Sequence, residues 1–263
     1  MIIHKIVIII ISILSLNSHL NAQVFGSNET LKNGKSTSIT VGYGAFSSPT
    51  YEGGNDYTIR AAPFLNVKYE NISANLINGI RVNLVEEPSW SGGMGLGGSF
   101  GRYAKQDVHL SGLGNIDWTM EAILFAKYKT RFYSLTSEIY KDILERGHKG
   151  HYIKTSFGTG FPLINLATFF RPSLSITFAD KNYLNSFFGV TSGQSSSSGH
   201  PEYSLNQGVK DVSATVLMIS RINEKVSFTG MLSYKELIGS VAKSPIVQAS
   251  GQFSGGFSIG YHY

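Results

Sequence analysis

QASGQFSGGFSIGYHY (Gln248–Tyr263) is the stretch whose reading decides the fold. Taken alternately, Ala249, Gly251, Phe253, Gly255, Phe257, Ile259, Tyr261 and Tyr263 share one face. Gln248, Ser250, Gln252, Ser254, Gly256, Ser258, Gly260 and His262 share the other. A period of two sends alternate side chains to opposite faces of a strand. Here Phe257, Ile259, Tyr261 and Tyr263 form an apolar row that ends in aromatics. Strands of membrane-spanning barrels are about ten residues long, with aromatic girdles at both interfaces. The stretch therefore predicts the closing strand of such a barrel.

The same alternation recurs upstream, in 38–45, 58–69, 93–101, 116–128, 131–142, 149–159, 164–178, 209–220 and 225–235. It is clearest in 116–128, where Ile116, Trp118, Met120, Ala122, Leu124, Ala126 and Tyr128 oppose Asp117, Thr119, Glu121 and Lys127. Ile123 and Phe125 interrupt that polar face. Pro63 should mark a local defect, because proline inside a sheet is confined to edges and bulges. Residues 71–86 form either two short strands around Asn78-Gly79 or one kinked strand. Two arms give twelve strands in all. Long connections (47–56, 104–115, 143–148, 179–208, 236–247), with Asn78-Gly79 the exception, then alternate with short turns such as 160–163, the asymmetry of outer-membrane barrels. Arg60, Glu121, Glu138, Lys154 and Arg171 fall on the polar face and are read as luminal charges. A hydrated or salt-bridged lumen can hold them; a dry core between two sheets cannot. The fold expected is an all-β antiparallel transmembrane barrel over 37–263.

The amino end reads as a secretory signal peptide over 1–22, with Lys5 before the apolar run Ile6–Leu16 and cleavage after Ala22. That run falls short of the roughly 20 residues of a spanning helix. Residues 23–36 are polar and read as a loose periplasmic segment. The chain has no Cys, which rules out disulfides, thiol catalysis and thiolate metal sites. Its formal charge of +5 is scattered, with no basic run suited to nucleic acid.

Three segments are distinctive. They are Pro49-Thr50-Tyr51-Glu52-Gly53-Gly54-Asn55-Asp56-Tyr57, then Gly112-Leu113-Gly114-Asn115-Ile116-Asp117, then Tyr183 with Phe187-Phe188-Gly189-Val190. In order and spacing they resemble the MipA/OmpV family of outer-membrane barrels, with Asn115 standing where an acidic residue is expected. The resemblance implies an outer-membrane location and assembly by the barrel-assembly machinery. Some members are described as scaffolds joining a lytic murein transglycosylase to a bifunctional penicillin-binding protein, others as acting in adhesion or stress.

Chemical sites are sparse. His148 and His151 beside Glu145 carry the residue types of a nucleophilic triad, but their setting reads as a solvated loop tip. Asp117 and Glu121 read as salt-bridge partners of luminal Lys or Arg. Clusters at metal-ligand spacing are missing from the sequence, and no cofactor is expected. The Ser-rich tract Gly193–His200 reads as a flexible loop, and Phe187-Phe188 as part of an aromatic girdle or, as the alternative, as an anchor of that loop in the barrel mouth. The expected role is a structural scaffold of the cell envelope. The alternatives are a narrow passive pore and, third, an outer-membrane lipid hydrolase.

Overall fold

In the computed structural model, which describes residues 30–32, 35–75, 79–163 and 167–263, the alternation becomes fourteen antiparallel strands in one sheet. These are β1 (Thr30–Lys32), β2 (Lys35–Pro49), β3 (Tyr57–Tyr69), β4 (Ile72–Asn75), β5 (Gly79–Glu86), β6 (Trp90–Ser99) and β7 (Thr119–Lys129). They continue with β8 (Tyr133–Asp142), β9 (His151–Thr159), β10 (Phe161–Leu163), β11 (Thr168–Ala179), β12 (Gly208–Arg221), β13 (Val226–Leu237) and β14 (Gly251–His262). Strands β1 and β10 are short extensions; the other twelve form the wall, each beside its sequence neighbour. Closure comes from β14 on β2, with Phe257 opposite Ala45 and Tyr261 opposite Val41.

Two media explain the alternation. Outward side chains meet lipid, so Leu124, Ile176, Leu232, Phe253, Phe257 and Ile259 stay exposed on the folded chain. At the short-turn end Trp90, Tyr128, Tyr133 and Phe157 form a continuous aromatic row, with successive ring centroids 4.6, 6.3 and 5.5 Å apart. Such belts sit at membrane interfaces. The two apolar residues that interrupt the polar face of β7 point into the lumen, Ile123 with only 2 % exposure. Opposite Ile123 and Phe125, β6 offers Gly95 and Gly93. Phe64 enters the lumen from β3, and a Cβ on Gly42 would sit 2.2 Å from its ring.

Several details differ from the sequence reading. The 71–86 region is two strands, β4 and β5, paired from Asn75 opposite Gly79. The expected signal peptide lies outside the described residues, as do positions 23–29, 33 and 34. Strand structure reaches further toward the amino end than expected, because Lys35 opens β2 and Thr30–Lys32 folds back on it as β1. Residues 161–163 are not a turn, since Phe161 pairs with Phe170 and prolongs the β9 side of the wall. At the other end of the barrel β7 starts only at Thr119. Asp117 therefore precedes the strand and is exposed rather than luminal.

Long connections fold together over one mouth. They carry two 3₁₀ turns (Ala104–Gln106 and Val108–Leu110) and three helices: α1 (Lys181–Phe188), α2 (Ser192–Ser198) and α3 (Gly239–Ala242). The Ser-rich tract is helix α2, not a flexible loop. Thr191 Oγ1 accepts from Gln194 N–H, the Gln194 side chain accepts from Thr191 N–H, and Gly199 in the left-handed region ends the helix.

Candidate functional site

All three distinctive segments converge on that mouth and build a cap. Its apolar core joins two clusters. One contains Tyr183, Leu184, Phe188, Leu205, Leu237 and Val241; the other contains Tyr51, Leu110, Leu113, Val190 and Ile246, with Tyr203 touching both. Phe188 is wholly buried, so it anchors the cap and is not a girdle residue; Phe187 packs against the same core.

In the first segment, Pro49 ends β2 opposite Tyr57, and the loop closes through Thr50 N–H donating to the Asp56 carbonyl at 2.8 Å. Tyr51 Oη donates to the Ile246 carbonyl (3.1 Å) and to Gln248 Oε1 (3.2 Å). Burial, reinforced by Asp107, pushes the Tyr51 phenol well above its ordinary value. Gln252 clamps this loop by accepting from Gly53 N–H and donating to the Gly54 carbonyl. In the second segment Leu113 and Ile116 are buried, and Ile116 pairs with Arg102 as an isolated bridge. Gly53, Gly112 and Gly114 all hold positive φ (97°, 79° and 74°), which glycine adopts without the steric cost other residues meet. Asn115 Oδ1 accepts from Ala104 N–H, a role a carboxylate would also fill. In the third segment Gly189 caps α1, its N–H donating to the Asn185 carbonyl. Arg102 donates to the Phe187 carbonyl, and burial pulls its guanidinium down to about 10, still charged at neutral pH.

Beneath the cap lie two charged clusters. Glu52 Oε1 accepts from Lys210 Nζ and Lys235 Nζ, both at 2.7 Å, and Asp211 lies 3.1 Å from Lys210. Burial alone would raise the Glu52 carboxyl; the two ammonium groups outweigh it and hold it well below the usual carboxylate range. Tyr183 covers Lys210, whose Nζ is 5.3 Å from the ring centroid. The second cluster centres on His148, which is fully buried and not a solvated loop tip. Its Nδ1 accepts from Gly150 N–H, so Nε2 carries the proton and donates to Glu121 at 2.8 Å. Glu121 is therefore paired with histidine rather than with a luminal Lys or Arg. Asp142 explains how the loop reaches this position. Its carboxylate accepts from Thr119 and from the N–H groups of Leu144, Glu145, Gly147 and Lys149.

A Ser–His–acid triad does not form here. Both His148 nitrogens are engaged, and Ser186 donates to the His148 carbonyl, not its ring. His151 lies outside this cluster, exposed and 3.0 Å from Asp180.

The remaining charges divide. Glu138 pairs with Arg81, which also donates to Tyr140. The side chains of Arg60, Lys154 and Arg171, and of Lys127 and Lys129, make no hydrogen bond or ion pair among the described residues. A cavity of about 440 Å³ opens at the short-turn end, bounded by Arg81, Glu86, Trp90, Phe125, Lys127 and Lys129. Sequence reasoning did not single out Arg102, Asp142, Lys210, Lys235, Gln248 or Gln252. Of these, only the two glutamines stood in a stretch already marked as decisive.

A family model described as "MltA-interacting protein MipA" matches residues 41–263, which takes in the whole cap and the closing strand. The chain belongs to the MipA family. As a MipA-family barrel with a lipid-facing apolar belt and one-sided long loops, it is an outer-membrane protein. No curated protein matches the sequence. Among solved structures, an outer-membrane channel of Pseudomonas putida F1 is 11% identical, with a TM-score of 0.42, covering 92% of this chain and 100% of its own. KdgM porin is 5% identical, with a TM-score of 0.41, covering 84% of this chain and 98% of its own.

Proposed function

We propose that this MipA-family barrel is a structural scaffold of the cell envelope that holds peptidoglycan-remodelling enzymes at its short-turn, periplasmic end. The observation that supports this most is the cap, whose buried apolar core and paired charges lie over the mouth. A route for free diffusion of solutes has no need of such a core. The family description supports a lytic murein transglycosylase as one partner. A penicillin-binding protein as second partner follows from the resemblance in the sequence, as does assembly by the barrel-assembly machinery.

The docking surface proposed is made of the short turns and the β1–β2 hairpin. Phe132 and Ile222 stand out there, 64 % and 62 % exposed on turns that are otherwise polar. Thr130 and Asn223 hold those turns through side-chain bonds to Tyr133 N–H and Val226 N–H, so they are left intact in the test. With Phe132→Ser and Ile222→Ser, capture of murein enzymes from crosslinked envelopes should fall while heat-modifiable migration stays normal. Undiminished capture would contradict the docking surface.

The 440 Å³ cavity and the unpaired cations near it favour a second reading, a narrow pore selective for anions. That reading requires the cap to leave a continuous aqueous path.

A further inference from the structure

Strand β3 pairs with β2 along its full length, Tyr57–Tyr69. On its other side, among the described residues, only Asn66–Tyr69 have strand partners, on β4. The edge from Tyr57 to Leu65 thus has no strand beside it among the described residues. Across the gap, β6 meets β5 as far as Gly97, which lies against Gly79, leaving Gly98 and Ser99 without a neighbour on that side among the described residues. Two strands are missing there among the described residues, and they would span three inter-strand spacings, so between the upper part of β3 and the end of β6 those residues leave a notch about 14 Å wide.

Sequence and exposure mark the same edge. Pro63 lacks an N–H, which suits it to an edge and discourages another strand from adding there. Five consecutive residues, Ile59 to Pro63, are exposed, so both faces of β3 are open at this height. Along β12, paired on both sides, Val216 is the single exposed position. Within the open run Arg60 is the only charge, and it has no partner among the described residues. It shares the inward face with Phe64 and with Phe46, its cross-strand neighbour. Ile59, Ala61 and Leu65 line the outward side of the rim, and Leu96 and Phe100 stand exposed across it.

We propose that the notch is a lateral port that admits a single-chain anionic amphiphile from the bilayer. Its carboxylate or phosphate head sits on Arg60, and its chain lies between the apolar rims. A guanidinium offers paired donors that match such heads in two-point fashion. A neutral lipid would leave Arg60 unpaired, and a water-soluble solute meets the filled cap.

The chain has no Cys, so single cysteines report cleanly. A fluorophore on Ala62→Cys, inward at the notch, should be quenched in vesicles of lipids brominated along their acyl chains. The same fluorophore on Ser258→Cys, inward on fully paired β14, should not be quenched. Dansyl-undecanoate should bind wild type about tenfold more tightly than Arg60→Ala, the scale of one charge-assisted hydrogen bond. Its methyl ester should bind both equally. Competition by laurate or by lysophosphatidate then identifies a carboxylate or a phosphate as the preferred head, and either supports the port. An unquenched label at position 62 would overturn it, as would equal binding of acid and ester. Disulfide formation between Ala62→Cys copies would also overturn it, by showing that the edge pairs with a second chain.

Discussion

The two ends of the lumen differ in how completely their charges are paired. Under the cap, Glu52, Lys210, Lys235, Glu121 and His148 all have partners, and most are buried. Toward the short turns Arg81 still pairs with Glu138, but Lys127, Lys129 and Arg171 have no side-chain partner among the described residues. A charge withdrawn from water must be paired, because desolvating it alone costs several kcal/mol; a charge facing a water-filled space need not be. The cap end is therefore built as a paired, buried closure, while the short-turn end leaves Lys129 and Arg171 exposed beside an open cavity.

Closure itself gives the largest expected effect. Deleting β14 removes its pairings with both β13 and β2, so membrane assembly should be abolished. Normal heat-modifiable migration of the truncated chain would contradict this.

Next comes the charge pairing under the cap. Glu52→Ala leaves the ammonium of Lys210 buried without its main counter-charge and should destabilise the cap by about 3–5 kcal/mol. Limited proteolysis of the long loops reads this directly. Because the Glu52 carboxyl is held below its unfolded value near 4.5, its contribution is complete above that pH and is lost as pH falls below it. Acid should therefore loosen the wild-type cap, and Glu52→Gln should flatten that part of the pH profile. Arg171→Ala and Lys129→Ala, both exposed at the short-turn end, should change stability by no more than about 0.5 kcal/mol. Equal losses at both ends would erase the contrast.

Membrane face against lumen comes third. Leu124→Arg places a charge on the lipid face and should cost about 2–4 kcal/mol if the residue lies near the midplane. Alternation alone would make Thr119→Arg harmless, since Thr119 faces inward. The structure reverses that expectation, because Thr119 is fully buried, donates to Asp142 and touches Gly147. Even Thr119→Ala should cost about 1 kcal/mol through the lost hydrogen bond. Denaturation of the folded band by urea in lipid vesicles measures all three.

This contrast also explains what was legible in the sequence. Outward rows such as Phe257, Ile259, Tyr261 and Tyr263 obey a period of two, so the barrel and its closing strand could be read directly. The cap has no period. Its segments lie up to about two hundred residues apart in sequence, and only tertiary contact joins Tyr51 to Ile246 and Gln248. His148 looked solvated because its neighbours Arg146 and Lys149 are charged. Its burial depends on Asp142 gathering four backbone N–H groups, which no local pattern announces. Helix α2 was hidden for a related reason: serine is a weak helix former, and only its capping residues signal the helix.

Planar-bilayer recording on the purified wild-type protein tests the closed cap most directly. Absence of steady conductance is expected, with conductance appearing once residues 182–207 are replaced by a short linker that removes α1 and α2. Steady ohmic current through the wild-type barrel, with selectivity that changes in Arg171→Ala, would contradict the closed scaffold and favour the pore.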